Sequence, residues 1–211
     1  MLLPSSPALA AGVNLSFSPS SGTFVVDSTF DVSVYLDTQG QSVNTIELNI
    51  KYPPDKLQLV SSSTGKSIIG IWTTVPHYDN SAGTVHLVGG IPGGVNVSQG
   101  LITTFTFRVR AVGSAIVKFD DSRVLLNDGL GTEVLSQSTN SVYNLVLPPP
   151  GGPVVASTTH PDQTAWYNNP NANLSWSTDG GASAYSWVLN DSPIDTPDDI
   201  PEGNQHAVSY N

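Results

Sequence analysis

The sequence predicts an all-β protein built from antiparallel sandwiches, and three observations carry that prediction. Apolar residues alternate with polar ones in run after run, the period-2 signature of a strand with one buried face. No stretch sustains a period near 3.6, so no amphipathic helix competes. Polar positions are filled by Ser, Thr, Asn and Gly, and only 11% of residues are charged, which suits a β-rich extracellular surface better than a helical intracellular one.

The elements follow in chain order. The first residues, "MLLPSSPALAAG", contain Ala8-Leu9-Ala10 before Ala11, the small-x-small pattern of a signal-peptidase site without its basic and apolar leader. Residues 1–11 read either as a signal-peptide remnant or as a disordered arm. "STFDVSVYLDT" then sets Phe30, Val32, Val34 and Leu36 on one face, and "NTIELNIKY" does the same with Ile46, Leu48, Ile50 and Tyr52. "SIIGIW" reads as a strand whose two faces cannot be separated, because Ile69, Ile71 and Trp72 are all apolar. "GTVHLVGG" turns Val85 and Leu87 inward, "LITTFTFRVRAVG" turns in Ile102 or Phe105 with Phe107 and Val109, and "SAIVKFD" turns in Ala115, Val117 and Phe119. Pro-Pro, Asn-Ser-Ala-Gly, Pro-Gly-Gly and Asn-Asp-Gly clusters separate these runs as turns. About eight or nine short strands at this spacing fit a two-sheet antiparallel sandwich.

"PPPGGP" at residues 148–153 then interrupts the pattern. Proline donates no hydrogen bond to a ladder and glycine weakens any regular element, so the stretch reads as a stiff spacer between modules. The sequence divides accordingly into a sandwich over residues 12–147, the spacer, and a second module over residues 154–211. "VVAS", "NANLSWST", "AYSWVLN" and "QHAVSYN" read as four strands in the second module. That module holds seven acidic residues and no Lys or Arg, and it contributes −7 of the net charge of −10.

The order of the pieces in the first module resembles the cohesin family. "LSFSPSSGTFVVDSTFDVSVYLDT", "VNTIELNIKYPPDKLQLV", "LITTFTFRVRAVGSAIVKF" and "DDSRVLLNDGLGTEVL" before "SVYNLVL" carry the resemblance. It implies a jelly-roll β-sandwich from the superfamily that includes carbohydrate-binding modules. It also implies a non-catalytic scaffolding function outside the cell, the capture of a dockerin-bearing partner on a flat sheet face built from the family's third, fifth, sixth and eighth strands. On this sequence the outward positions of those strands are Glu47, Asn49 and Lys51, then Thr84 and His86, then Ile116 and Lys118. Trp72 is either an aromatic anchor on that face, since aromatic residues are enriched at interface hot spots, or a half-buried core residue. The solvated side of a half-buried sheet accounts equally for the polar positions. The second module resembles the immunoglobulin-like repeats of bacterial surface proteins through "STTHPDQTAWYNNPNANLSWS" and "AYSWVLNDSP". A complete sandwich of that kind needs about seven strands and ~100 residues, so four strands predict a truncated immunoglobulin-like β-sandwich.

Two further functions stand beside dockerin capture: carbohydrate binding in polysaccharide breakdown, and a purely structural surface or adhesin repeat. Sugar-binding sandwiches present a planar aromatic strip. The predicted outward positions of the third, sixth and eighth strands contain none. Trp166, Tyr167, Trp176 and Trp187 read as sugar-stacking platforms or as the core of the second module. An acidic chain repels nucleic acid, and no apolar run approaches the ~18 residues of a membrane span. Without cysteine there is no disulfide and no thiolate chemistry. The four histidines, His77, His86, His160 and His206, are scattered, and the only glutamates are Glu47, Glu133 and Glu202, so no catalytic constellation is expected. No cofactor is expected either. Calcium is an alternative to simple solvation at Asp191, Asp195, Asp198, Asp199 and Glu202, and at Asp120, Asp121, Asn127 and Asp128, whose spacing matches no EF-hand.

Overall fold

The structure, a computed structural model, describes residues 12–149, 151–162, 164–177, 182–188, 190, 196–198 and 200–210. The proposed signal remnant at residues 1–11 lies outside them, as do Asp191, Asp195 and Asp199. The chain divides into two compact units between Pro148 and Pro149. Regular structure among the described residues is entirely β, and no helix there is long and apolar enough to cross a membrane.

The first unit contains twelve strands. They are β1 (Val13–Ser18), β2 (Ser21–Val25), β3 (Thr29–Asp37), β4 (Val43–Lys51), β5 (Leu57–Ser63), β6 (Ile71–Asp79), β7 (Thr84–Val95), β8 (Gly100–Val109), β9 (Gly113–Phe119), β10 (Arg123–Leu126), β11 (Leu135–Thr139) and β12 (Ser141–Val146). One sheet runs β11-β1-β3-β8-β5, and the other runs β2-β12-β9-β4-β7-β6 with β10 also against β4. Only β1–β11 and β2–β12 are parallel; the other pairings in these sheets are antiparallel. The count exceeds the eight or nine strands expected because short β2, β10 and β11 add edges that carry little alternation of their own.

The two sheets close on a continuous core. Val32, Val34 and Leu36 of β3 meet Ile46, Leu48 and Ile50 of β4, with Phe105 and Phe107 of β8 and Val117 of β9, all essentially inaccessible. Each such side chain contributes about 1.5–3 kcal/mol relative to exposure. At one end the rings of Phe24 and Phe30 stack at 3.8 Å, and Tyr143 meets Phe30 edge-on at 5.0 Å. The buried Tyr143 hydroxyl donates to the Pro19 carbonyl at 2.7 Å, as a buried phenol requires.

The turn between β6 and β7 fixes the register of the outward-facing strands. Gly83 sits at φ 67°, where a Cβ would come within 2.1 Å of the Tyr52 carbonyl, so only glycine fits. Asn80 Oδ1 accepts from the Tyr52 hydroxyl (2.8 Å) and the Leu59 amide (2.8 Å). Burial foremost, with Asp79 nearby, pushes the Tyr52 phenol up to about 12.

The second unit forms a three-stranded antiparallel sheet, β13 (Val154–Ser157), β14 (Ala172–Ser177) and β15 (Ala207–Tyr210), in that order. Three of the four expected strands are present. "AYSWVLN" is not a strand: among its described residues only Tyr185 forms a bridge, to Gly203, and the Trp187 amide donates to the Glu202 carboxylate rather than to a neighbouring backbone. Trp176 packs against Trp187 (5.2 Å) and Tyr185 (5.8 Å), while Trp166 is 101% exposed.

Candidate functional site

The order β9-β4-β7-β6 brings strands far apart in sequence onto one outward face. Because side chains alternate and Ile46, Leu48 and Ile50 point inward, Glu47, Asn49 and Lys51 must point out. The same reasoning turns out Thr84 and His86 from β7, whose Val85 and Leu87 are buried, and Ile116 and Lys118 from β9, whose Ala115 and Val117 are buried. Register joins them: Asn49 opposes His86, while Lys51 opposes Thr84 on one side and Lys118 on the other.

Asn49 is the best-fixed residue of this face. Strand β4 has no continuous neighbour on one edge, since β10 pairs only up to Glu47 and β9 begins pairing at Ile50. The gap falls at Asn49. Ser122 Oγ accepts from its amide and donates to its carbonyl, both at 3.0 Å, and the Asp120 amide also donates to that carbonyl at 2.7 Å. The Asn49 side chain donates from Nδ2 to the Asp121 carbonyl at 3.0 Å, and its Oδ1 lies 2.8 Å from His86 Nδ1. An amide held this way offers His86 an acceptor only. His86 therefore donates from Nδ1 to that oxygen.

Lys51 Nζ lies 2.7 Å from Asp120, with both groups partly exposed. The hydrogen bond from Lys51 holds the Asp120 carboxyl below the usual carboxylate range. Glu47 opposes Arg123 in register, but Arg123 pairs with Glu133 at 3.1 Å instead.

Trp72 does not share this face. It pairs with Gly89, whose flanking residues Leu87 and Ile91 point into the core, and it packs against that core itself. The inner side of Gly89 is filled by Ile69, whose Cγ2 a Cβ there would meet at 2.5 Å. Of the two readings of Trp72, the half-buried core residue is the one the structure shows. The stretch "SIIGIW", expected as a strand, joins β6 only at Ile71, and its apolar run gives no alternation to read there, whereas within β6 itself exposure alternates without a break. In its place β6 presents Ile71 and Val75, 58% and 62% exposed, with His77 opposite His86. The sequence reading left Ile71 unassigned to either face and did not place Val75 or His77 on this one. It also missed exposed Val142 opposite Ile116. Two exposed apolar residues in register are the signal that would have found this last pair.

In the group of Asp120, Asp121, Asn127 and Asp128, the last two are held by hydrogen bonds within the fold. Asp128 accepts from the Leu130 amide and the Thr132 hydroxyl, and Asn127 bridges Asn44 and the Gly93 carbonyl. Among the described residues no three His, Asp or Glu side chains gather as metal ligands.

A family model for the cohesin domain matches residues 13–142. The chain belongs to the cohesin family. Cohesin domains are non-catalytic protein-binding modules. No curated protein matches the chain by sequence, but solved cohesins share its fold. A chain of the Coh-OlpC–Doc435 type I cohesin–dockerin complex from Clostridium thermocellum is 10% identical, with a TM-score of 0.55 over 68% of this chain and 100% of that one. The sixth cohesin of scaffoldin B from Acetivibrio cellulolyticus, solved with a Cel5 dockerin, is 20% identical, with a TM-score of 0.52 over 64% and 99%. A non-cellulosomal cohesin from the archaeon Archaeoglobus fulgidus is 17% identical, with a TM-score of 0.53 over 64% and 92%. The immunoglobulin-like reading of the second unit has no counterpart among these matches.

Proposed function

We propose that this cohesin captures a dockerin module on the outward face of β9-β4-β7-β6 and acts as a scaffolding module outside the cell. The observation that carries the reading is the sheet order, which gathers Glu47, Asn49, Lys51, Thr84, His86, Ile116 and Lys118 on one outward sheet face of a cohesin fold. Solved relatives of that fold are complexes with dockerins. The face mixes both charge signs, amides, hydroxyls and exposed aliphatics, which suits register with a protein surface. It carries no aromatic strip for stacking on a sugar, since Trp72 lies on the inner side. A location outside the cell is supported by the weakly charged Ser/Thr/Asn/Gly surface and by Ala8-Leu9-Ala10 before Ala11.

Titration calorimetry of the full chain against dockerin modules encoded in the same genome tests this. At least one is expected to bind. Truncating a buried, hydrogen-bonded interface group costs about 2–5 kcal/mol, so Asn49→Ala and His86→Ala should each weaken that binding, as should charge reversal at Lys51. Binding unchanged in all three variants would move the site elsewhere.

A further inference from the structure

Where β9 runs past the end of β4, the capture face ends in a hollow of about 350 Å³ lined by Lys51, Tyr52, Pro53, Ser114, Ile116 and Lys118. Its walls combine an aliphatic side chain, a proline and an aromatic ring with two ammonium groups. Ile116 is 51% exposed and its cross-strand neighbour Val142 is 49% exposed, so an apolar shelf continues onto β12.

The charge arrangement is unbalanced. Lys51 and Lys118 stand directly opposite in register, and like charges opposite one another across a ladder destabilise it. Asp120 is in direct ion-pair contact with Lys51 and also feels the charge of Lys118, so two ammonium groups share one carboxylate. Close by, Lys56 Nζ lies 2.9 Å from the Ser114 carbonyl, and Arg110 donates to the Pro54 carbonyl at 3.2 Å. Four of the chain's seven cationic side chains thus gather at this corner of a protein whose net charge is −10. An ammonium group beside an apolar hollow is complementary to a carboxylate attached to an aliphatic group.

Building on the capture reading, we infer that this hollow receives an aliphatic side chain of the protein partner with an adjoining carboxylate, the chain of a Leu or Ile entering between Ile116 and Pro53 while the acid meets Lys118. The hollow thereby sets which partner binds and in which direction its contact segment lies, with its acidic end toward the tip of β4.

The probe pair is N-acetyl-L-leucine and N-acetyl-L-leucinamide, which differ only in the carboxylate. They are titrated into the isotopically labelled full chain at millimolar concentration and followed by NMR. The acid is expected to shift the Ile116 methyl and the Ser114 and Lys118 amides saturably. The amide should bind about 5-fold more weakly, the factor for one exposed ion pair near 1 kcal/mol. Lys118→Glu should reverse the preference by repelling the acid, while Lys118→Met, which keeps the apolar stem, should bring the acid down to the amide's affinity. Equal binding of the two probes, or shifts that bypass Ile116 and Ser114, would overturn the inference. Against any dockerin that binds the face, Lys118→Glu should cost at least about 5-fold on the same grounds. A dockerin indifferent to that change would overturn the hollow's role and leave the capture face standing. Probe binding in the hollow with no dockerin bound would overturn the capture reading instead.

Discussion

The two units use the same local grammar and arrive at different interiors. In the first, alternating strands face a second sheet, and the fully buried apolar side chains of the described chain all fall between Val13 and Leu145. In the second, β14 alternates just as cleanly, with Ala172, Leu174 and Trp176 half-buried. Yet Val154, Val155, Val188 and Ile200 stay exposed. The apolar side of that sheet is covered by Tyr185 and Trp187 from irregular backbone, and the Trp176 indole N–H and the Ser186 hydroxyl lie buried without a hydrogen-bond partner. Alternation specifies a strand; dense burial needs an opposing layer of regular structure, spaced about 10 Å away.

The largest expected effect follows from that difference. Phe107 is inaccessible and lies between the rings of Phe30 and Tyr52, so Phe107→Ala should cost the first unit about 3–5 kcal/mol, read from its urea midpoint. Trp176→Ala should leave that transition in place. One common transition, moved by both substitutions, would break the comparison.

A smaller effect is expected at the interrupted edge of β4. Asn49→Ala removes the partner of His86 Nδ1 and of the Asp121 carbonyl, a loss of about 1–3 kcal/mol for groups left unsatisfied. Nitrogen NMR of the His86 ring should show the proton on Nδ1 in the native protein and a mixture of tautomers in the variant. Native-state amide exchange sharpens the contrast further. Amides of β14 should exchange faster than those of β4, although both strands are paired on two sides. Equal protection would give the second unit a packed interior it is argued to lack.

The smallest effect concerns pH. The neutral Tyr52 phenol is favoured by burial, and its folded value lies near 12 against an ordinary value of about 10. Its contribution to the first unit is therefore complete below pH about 10 and lost as pH rises through about 12. Phenolate absorbance should show Tyr52 ionising later than the exposed tyrosines. Ionisation of all tyrosines together near pH 10 would contradict the buried placement.

Much of the first unit was legible because strands β3, β4, β7 and β9 each turn alternate apolar residues inward. Seven of the eight candidate face residues follow from that alternation alone. Trp72 escaped it because the run "SIIGIW" offers apolar residues at Ile69, Ile71 and Trp72 alike and joins β6 only at Ile71, so the pairing with Gly89 decides its direction and no local pattern does. The network joining Asn49, His86, Asp121 and Ser122 was equally invisible. It spans residues up to 73 apart and depends on where β9 and β10 divide one edge of β4. In the second unit, the apolar spacing of "AYSWVLN" suggested a strand, but spacing says nothing about whether a backbone neighbour is available.

The two parallel pairings have a mechanical consequence. β2 runs alongside β12 over five residue pairs, and β1 alongside β11, so the opening strands of the first unit are laid parallel to its closing ones. Pulling the unit by its two ends draws β2 toward its start and β12 toward its finish. The ladder between them is loaded in shear, and its hydrogen bonds share the force instead of opening one by one as a zipper would. For a module proposed to hold a cargo outside the cell, the direction of tension along the chain is the direction in which the sandwich is braced.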